Sequence, residues 1–185
     1  MVLLGCKPAG RLTEQHDIFF GVAGSLKELV PHMINSWPEA NGEIHIDSWR
    51  EVTKVGDYVI QVIPKKERLI TDSSRHLFFI NLGGYKPGEF EEYHYKILAV
   101  GKDSSEAIQR SKQSTFYKHC GFEYAGAVSH IDDKYGIDTD DLFKIEDVLA
   151  ESFKRNYTLE LALVKDTEED VLHIGYVQIK KLLAS

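Results

Sequence analysis

Leu82-Gly83-Gly84-Tyr85-Lys86-Pro87-Gly88-Glu89-Phe90-Glu91-Glu92-Tyr93-His94 restates, 78 positions later, Leu4-Gly5-Cys6-Lys7-Pro8-Ala9-Gly10-Arg11-Leu12-Thr13-Glu14-Gln15-His16. Carried on to Ser36 and Ser114, the two stretches align over 33 pairs without a gap. Eight pairs are identical: Leu4/Leu82, Gly5/Gly83, Gly10/Gly88, Glu14/Glu92, His16/His94, Val22/Val100, Glu28/Glu106 and Ser36/Ser114. The match carries chemistry as well as hydrophobicity, because a Glu-x-His triplet stands at the same place in both. Further on, His45-Ile46-Asp47 matches His130-Ile131-Asp132 at an offset of 85, and Asp57–Val62 resembles Asn156–Leu161 at an offset of 99. Two copies with growing inserts are too few and too long for a solenoid or a heptad array. The simplest reading is an internally duplicated module.

Local patterns give that module its elements. Val2–Gly5 and His76–Leu82 have the length and the β-branched or aromatic character of strands. Each runs into a glycine and then a turn, and Pro87-Gly88 fits a type II turn. His16–Ala23 and His94–Gly101 read as second strands. Helix starts follow. Ser25 and Glu28 form a capping box, and Asp103 with Glu106 offers the same geometry. Leu26, Leu29, Val30, Met33, Ile34 and Trp37 make one apolar helix face. Pro31 removes a helical hydrogen bond, so this helix is expected to kink or break into short turns. The second helix, about 104–118, presents Ala107, Ile108, Ser111, Thr115 and Phe116.

Strands are expected next around Glu43–Val52 and Tyr58–Ile63, with counterparts near Ala127–Ile131 and Tyr157–Val164. Asp132–Asp141 holds five aspartates and reads as a solvated loop. Leu142–Phe153 reads as a short helix, and Ile174–Ile179 as a last strand. The fold class is therefore α+β: a duplicated ββαββ-like module, each copy packing one amphipathic helix on an antiparallel sheet, the copies related by a pseudo-twofold. The expected division is a first repeat over 1–64, a basic linker over 65–75, a second repeat over 76–164 and a C-terminal strand and tail over 165–185. Either copy alone is marginal for burying a core, so one cooperative unit is expected.

Composition bounds the function. The chain has 185 residues and a net charge of −7. That balance opposes a sequence-independent nucleic-acid binder, which needs a positive surface, and an adhesin for anionic membranes. No apolar run is long enough to span a bilayer, and Met1–Gly5 is too short for a secretory signal. Two cysteines, Cys6 and Cys120, with no CxxC, suit a reducing cytoplasm and no thiolate zinc site. His119 adjoins Cys120 in sequence, but adjacent residues need not approach one another in a fold, and Cys120 reads as an inert loop thiol. Asp132–Asp141 fails the EF-hand pattern, since Ile137 stands where loop glycine is needed and Phe143 where the closing glutamate is needed.

Leu77–His94 and His45-Ile46-Asp47-Ser48-Trp49, with Arg50-Glu51-Val52 after it, resemble a small bacterial family catalogued as domain of unknown function 1543, whose members carry one or two copies of such a module. The resemblance extends over most of residues 1–164. It implies a bacterial cytosolic origin and two tandem copies here, and it implies no activity. The first copy departs from the pattern at its loop, where Cys6-Lys7-Pro8-Ala9 replaces Gly84-Tyr85-Lys86-Pro87.

The residues with chemistry are the repeated ones. On a strand, positions two apart share a face, so Glu14 stands with His16 and Glu92 with His94. Adding His45 and Asp47, or His130 and Asp132, would gather two histidines and two carboxylates in each copy. Such a set can ligate zinc or non-haem iron or transfer protons. In the plainer reading each glutamate only orients a half-exposed histidine. The residues alone assign no metal and no cofactor. The expected role is a small-ligand-binding or interaction module, with a metal-assisted or acid–base enzyme as the alternative. A small molecule or a protein is the expected partner, nucleic acid and membrane are not, and a homo-oligomer is left open. The second copy, with its glycine turn over Gly83–Gly88 and its insert, is the preferred site.

Overall fold

A computed structural model describes residues 1–67, 74–85, 88–112, 137–164 and 168–184. The strand-favouring stretches form strands β1 (Val2–Cys6), β2 (Gln15–Phe19), β3 (His45–Trp49), β4 (Lys54–Val55), β5 (Tyr58–Pro64), β6 (His76–Tyr85), β7 (Glu92–Gly101), β8 (Ile137–Lys144), β9 (Tyr157–Leu163) and β10 (His173–Gln178). They make three antiparallel sheets, ordered β10-β3-β1-β2, β7-β6-β8 and β4-β5-β9. Among the described residues the helices are α1 (Val30–Ser36), α2 (Ser104–Lys112), α3 (Ile145–Val148), α4 (Glu151–Asn156) and α5 (Ile179–Ala184). The class is α+β.

The first sheet buries one face on α1. Val2, Leu4, Cys6 and Ile46 meet Val30 and Met33, with Leu26, Leu29, Ile34 and Trp37 packed around them. Pro31 sits in the first turn of α1, where its missing N–H costs nothing. The apolar face is broken into short turns, with a 3-10 turn over Lys27–Leu29 before α1 and another over Pro38–Ala40 after it. The second sheet does the same with α2. Phe78, Ile80 and Leu82 pack on Ala107, while Leu77 and Phe79, pointing the other way, join a third core with Tyr58, Ile60, Val100 and Leu159. Ile18 of β2, with Met1 and Phe20 just beyond the strand ends of the first sheet, enters that same core, and Phe20 meets Phe79 edge-on at 5.5 Å. The two helix-covered sheets thus turn their other faces toward each other.

Two features of sequence were misread. Ile137–Lys144 is a strand, not the end of a solvated loop followed by a helix; helix begins only at Ile145. Its aspartates are poor strand formers, but the backbone pairs with β6 from Phe78↔Lys144 to Gly84↔Ile137, and Leu142 reaches the core on α2. Tertiary pairing outweighs propensity here. Gly5 and Gly83, likewise, do not end their strands: β1 continues to Cys6 and β6 to Tyr85. The expected strand at Ala127–Ile131, together with Thr115, Phe116 and Cys120, lies outside the described residues.

The third sheet joins the chain's two halves. β5 and β9 pair from Tyr58↔Leu163 to Pro64↔Tyr157, centred on Gln61↔Glu160. The stretch before β10 is fastened by Asp170, whose buried carboxylate accepts from Thr53 N at 3.0 Å and Lys54 N at 3.1 Å.

Candidate functional site

The strand registers put the repeated residues around two glycines. On the first sheet Gly5 lies between His16 of β2 and His45 of β3. A bulge between Leu3 and Leu4 leaves Asp47 without a partner on β1, since Leu3 faces Ser48 and Leu4 faces Ile46. The bulge swings the Asp47 carboxylate over Gly5. Here Glu14, His16, His45 and Asp47 do meet. His45 Nε2 is 2.7 Å from Glu14 Oε1 and 3.3 Å from Asp47 Oδ1, and His16 Nε2 is 3.3 Å from Asp47 Oδ2. The His45 ring leans on Tyr176 of β10, with centroids 4.5 Å apart. Only glycine fits beneath: a Cβ at Gly5 would come within 2.3 Å of His45 Nε2.

The second sheet repeats the register. Gly83 lies between His94 of β7 and Asp138 of β8, and a bulge between Asn81 and Leu82 leaves Asp140 over the glycine. His94 Nε2 is 3.3 Å from Asp140 Oδ2 and 3.9 Å from Glu92 Oε2. A Cβ at Gly83 would fall 2.2 Å from Asp140 Oδ2. His130 and Asp132 lie outside the described residues. The position that answers Asp47 in the strand register is Asp140, an offset of 93. Sequence reading missed it because the identical His-Ile-Asp at 130–132 drew the alignment away from Asp138-Thr139-Asp140. It also missed the glycines as floors, although both were among the identical pairs.

Between the β2 edge of the first sheet and the open face of the second runs a cleft of about 900 Å³. His16 and His94 both line it, with Glu92, Asn81 and Lys96 on the walls and Phe20 and Phe79 beneath. Burial lowers the Lys96 ammonium from its ordinary value, against an opposing pull from Asp17. Asn81 Oδ1 is buried without a hydrogen-bond partner, a group that a ligand donor could satisfy. Cys6 is buried and free, and burial, with Glu14 and Glu43, pushes its thiol up. It takes no part in the cleft.

Fold and clusters together define an α+β protein with a histidine–carboxylate cleft between two facing antiparallel sheets. Residues 11–62, from the loop before β2 to within β5, match the family described as Domain of Unknown Function (DUF1543). The matched span contains Glu14, His16, His45 and Asp47. Across the chain the fold is similar to that in "Crystal structure of a protein Il1583 from Idiomarina loihiensis", with a TM-score of 0.63 over 96% of this chain and 94% of that one, at 20% identity. No curated protein matches the chain. Among the described residues no helix is long and apolar enough to cross a membrane.

Proposed function

We propose that this protein is a small-ligand-binding module built by internal duplication, and that its ligand occupies the cleft between the two sheets. One observation carries the reading. His16 and His94, each opposite the glycine of a central strand, open on one and the same cleft. A duplicated fold with a pseudo-twofold through Gln61 and Glu160 explains this arrangement, because it brings equivalent side chains to one seam. The repeats would then be residues 1–64 and 76–164, with 165–185 as an added strand and tail. A second hollow of about 700 Å³ involves core residues such as Leu77, Leu149 and Leu159, and it gathers none of the repeated polar groups.

The walls also favour a ligand class. Among the described residues, Asp17, Glu91, Glu92 and Asp141 line the cleft against one ammonium, that of Lys96. Phe20, Phe79 and Phe143 add apolar surface to the lining. A small neutral or cationic molecule with an amine and a planar apolar part is the best complement, since small-ligand sites pair an apolar lining with a few placed polar groups. The close His16–Asp47 and His94–Asp140 contacts support a second reading, acid–base catalysis on such a molecule, because a carboxylate behind an imidazole fixes its tautomer and orientation. A reducing cytoplasm remains the compartment that the two-thiol composition favours.

The test is a thermal-shift and calorimetric screen of small aromatic amines against aromatic carboxylates. The amines should bind, and His16→Ala and His94→Ala should each weaken the same compound. Binding confined to carboxylates, or hits indifferent to both variants, would overturn the reading.

A further inference from the structure

We propose that Glu92, His94 and Asp140 form a binding site for a divalent transition-metal ion of the zinc class. Among the described residues they are the one histidine–carboxylate set whose ligand atoms all lie within 4.8 Å of one another. The spacing has a physical meaning. Bonds of about 2.1 Å at tetrahedral angles put neighbouring ligand atoms about 3.4 Å apart. His94 Nε2 and Asp140 Oδ2 are 3.3 Å apart, and His94 Nε2 and Glu92 Oε2 are 3.9 Å apart. Both separations are close to the spacing that a shared ion would impose on its ligand atoms. One imidazole and two carboxylates suit zinc, manganese or iron rather than a soft thiophilic ion.

The corresponding place on the first sheet argues the point by contrast. There the His45 ring stands between Glu14 and Asp47, at 2.7 and 3.3 Å, and so takes the position a cation would hold. On the second sheet the register position opposite Gly83 is held by residue Asp138, not by a histidine. Gly83 keeps the site open, because any side chain there would strike Asp140. Glu92 and His94 also line the cleft, so three protein ligands would leave a coordination position facing it, as at metal sites that do chemistry. The proposal does not depend on the organic ligand, since the metal is read without one.

The experiment is a zinc titration of the full chain, purified without a histidine tag and stripped with chelator, followed by calorimetry at neutral pH. One zinc per chain is expected. Asp140→Asn and His94→Gln should each weaken it by at least about 10-fold, the loss seen even for residues that only support metal ligands. Asp47→Asn and His32→Gln, neither of which lines the cleft, should leave it within 2-fold, on the expectation that distant sites act independently. Melting curves of all four variants without zinc check that they fold. For variants that fold, absence of stoichiometric binding, an unchanged affinity in Asp140→Asn, or equal losses on the two sheets would each overturn the proposal. If Asp140→Asn does not fold, Co²⁺ absorption of the unmodified chain decides: ligand-field bands at one equivalent support the site, and their absence refutes it.

Discussion

Two glycines show how a single missing Cβ sets the chemistry. Gly5 and Gly83 are ordinary strand residues in backbone terms, yet each lies under a bulge residue whose carboxylate occupies the space above it. At Gly83 the obstacle to a methyl group is the Asp140 carboxylate, a side-chain group and not backbone. Gly83→Ala should therefore fold with a stability change below about 1 kcal/mol, while zinc affinity falls with the displaced Asp140. Gly101 is the opposite case. A Cβ there would come within 2.8 Å of Ala107 N and 2.9 Å of Asp103 O, and backbone in the first turn of α2 cannot step aside. Gly101→Ala should cost about 1–3 kcal/mol, the range for forced overpacking. Urea denaturation of the two variants checks both expectations; equal losses would show that the Asp140 side chain is as fixed as a helix backbone.

At the scale of elements, the start of α2 is held by one carboxylate with several partners. Glu106 accepts from Arg75 at 2.7 Å, from Arg110 at 2.9 Å and from the Lys102 amide at 2.9 Å, while Asp103 caps the Glu106 amide. The Arg75 hydrogen bond, then that of Lys102, brings the Glu106 carboxyl down to about 2. The folded value is depressed, so the ionised contact stabilises above the unfolded value near 4.5, and this contribution is lost as pH falls through about 2. Glu106→Gln should melt below the unmodified protein at neutral pH, and the gap should close between pH 4.5 and 2. Melting curves over that range check it, and a gap independent of pH would contradict it. This capping pair was legible in sequence, as were the strands around Leu4, Phe79 and Ile60 and the interrupted helix at Pro31, because each rests on local spacing. β8 was not. Asp138-Thr139-Asp140-Asp141 carries turn-forming residues, and only pairing with β6 makes it a strand. The candidate site was legible on the first sheet, where Glu14, His16, His45 and Asp47 stand in two short motifs that a shared central strand brings together. On the second sheet only Glu92 and His94 were, because a bulge, which leaves no mark in composition, selects Asp140.

The whole molecule is tied across its halves. Phe79 from the second sheet and Phe20 from beside the first share a core to which β5 and β9 also contribute. Phe79→Ala should cost about 3–5 kcal/mol and lower a single transition. Far-ultraviolet dichroism and tryptophan fluorescence should coincide, the tryptophans being in the first half; separated transitions would mean that the halves fold apart. The central claim is that His16 and His94, carried by different sheets, serve one cleft. It is tested most directly with imidazole nitrogen resonances of ¹⁵N-histidine-labelled protein during titration with an aromatic amine selected by the screen. The account predicts that the His16 and His94 signals move together along one binding curve with a common Kd, while His32, on α1 away from the cleft lining, stays still. Movement of either one alone, or two curves with different Kd values, would contradict it.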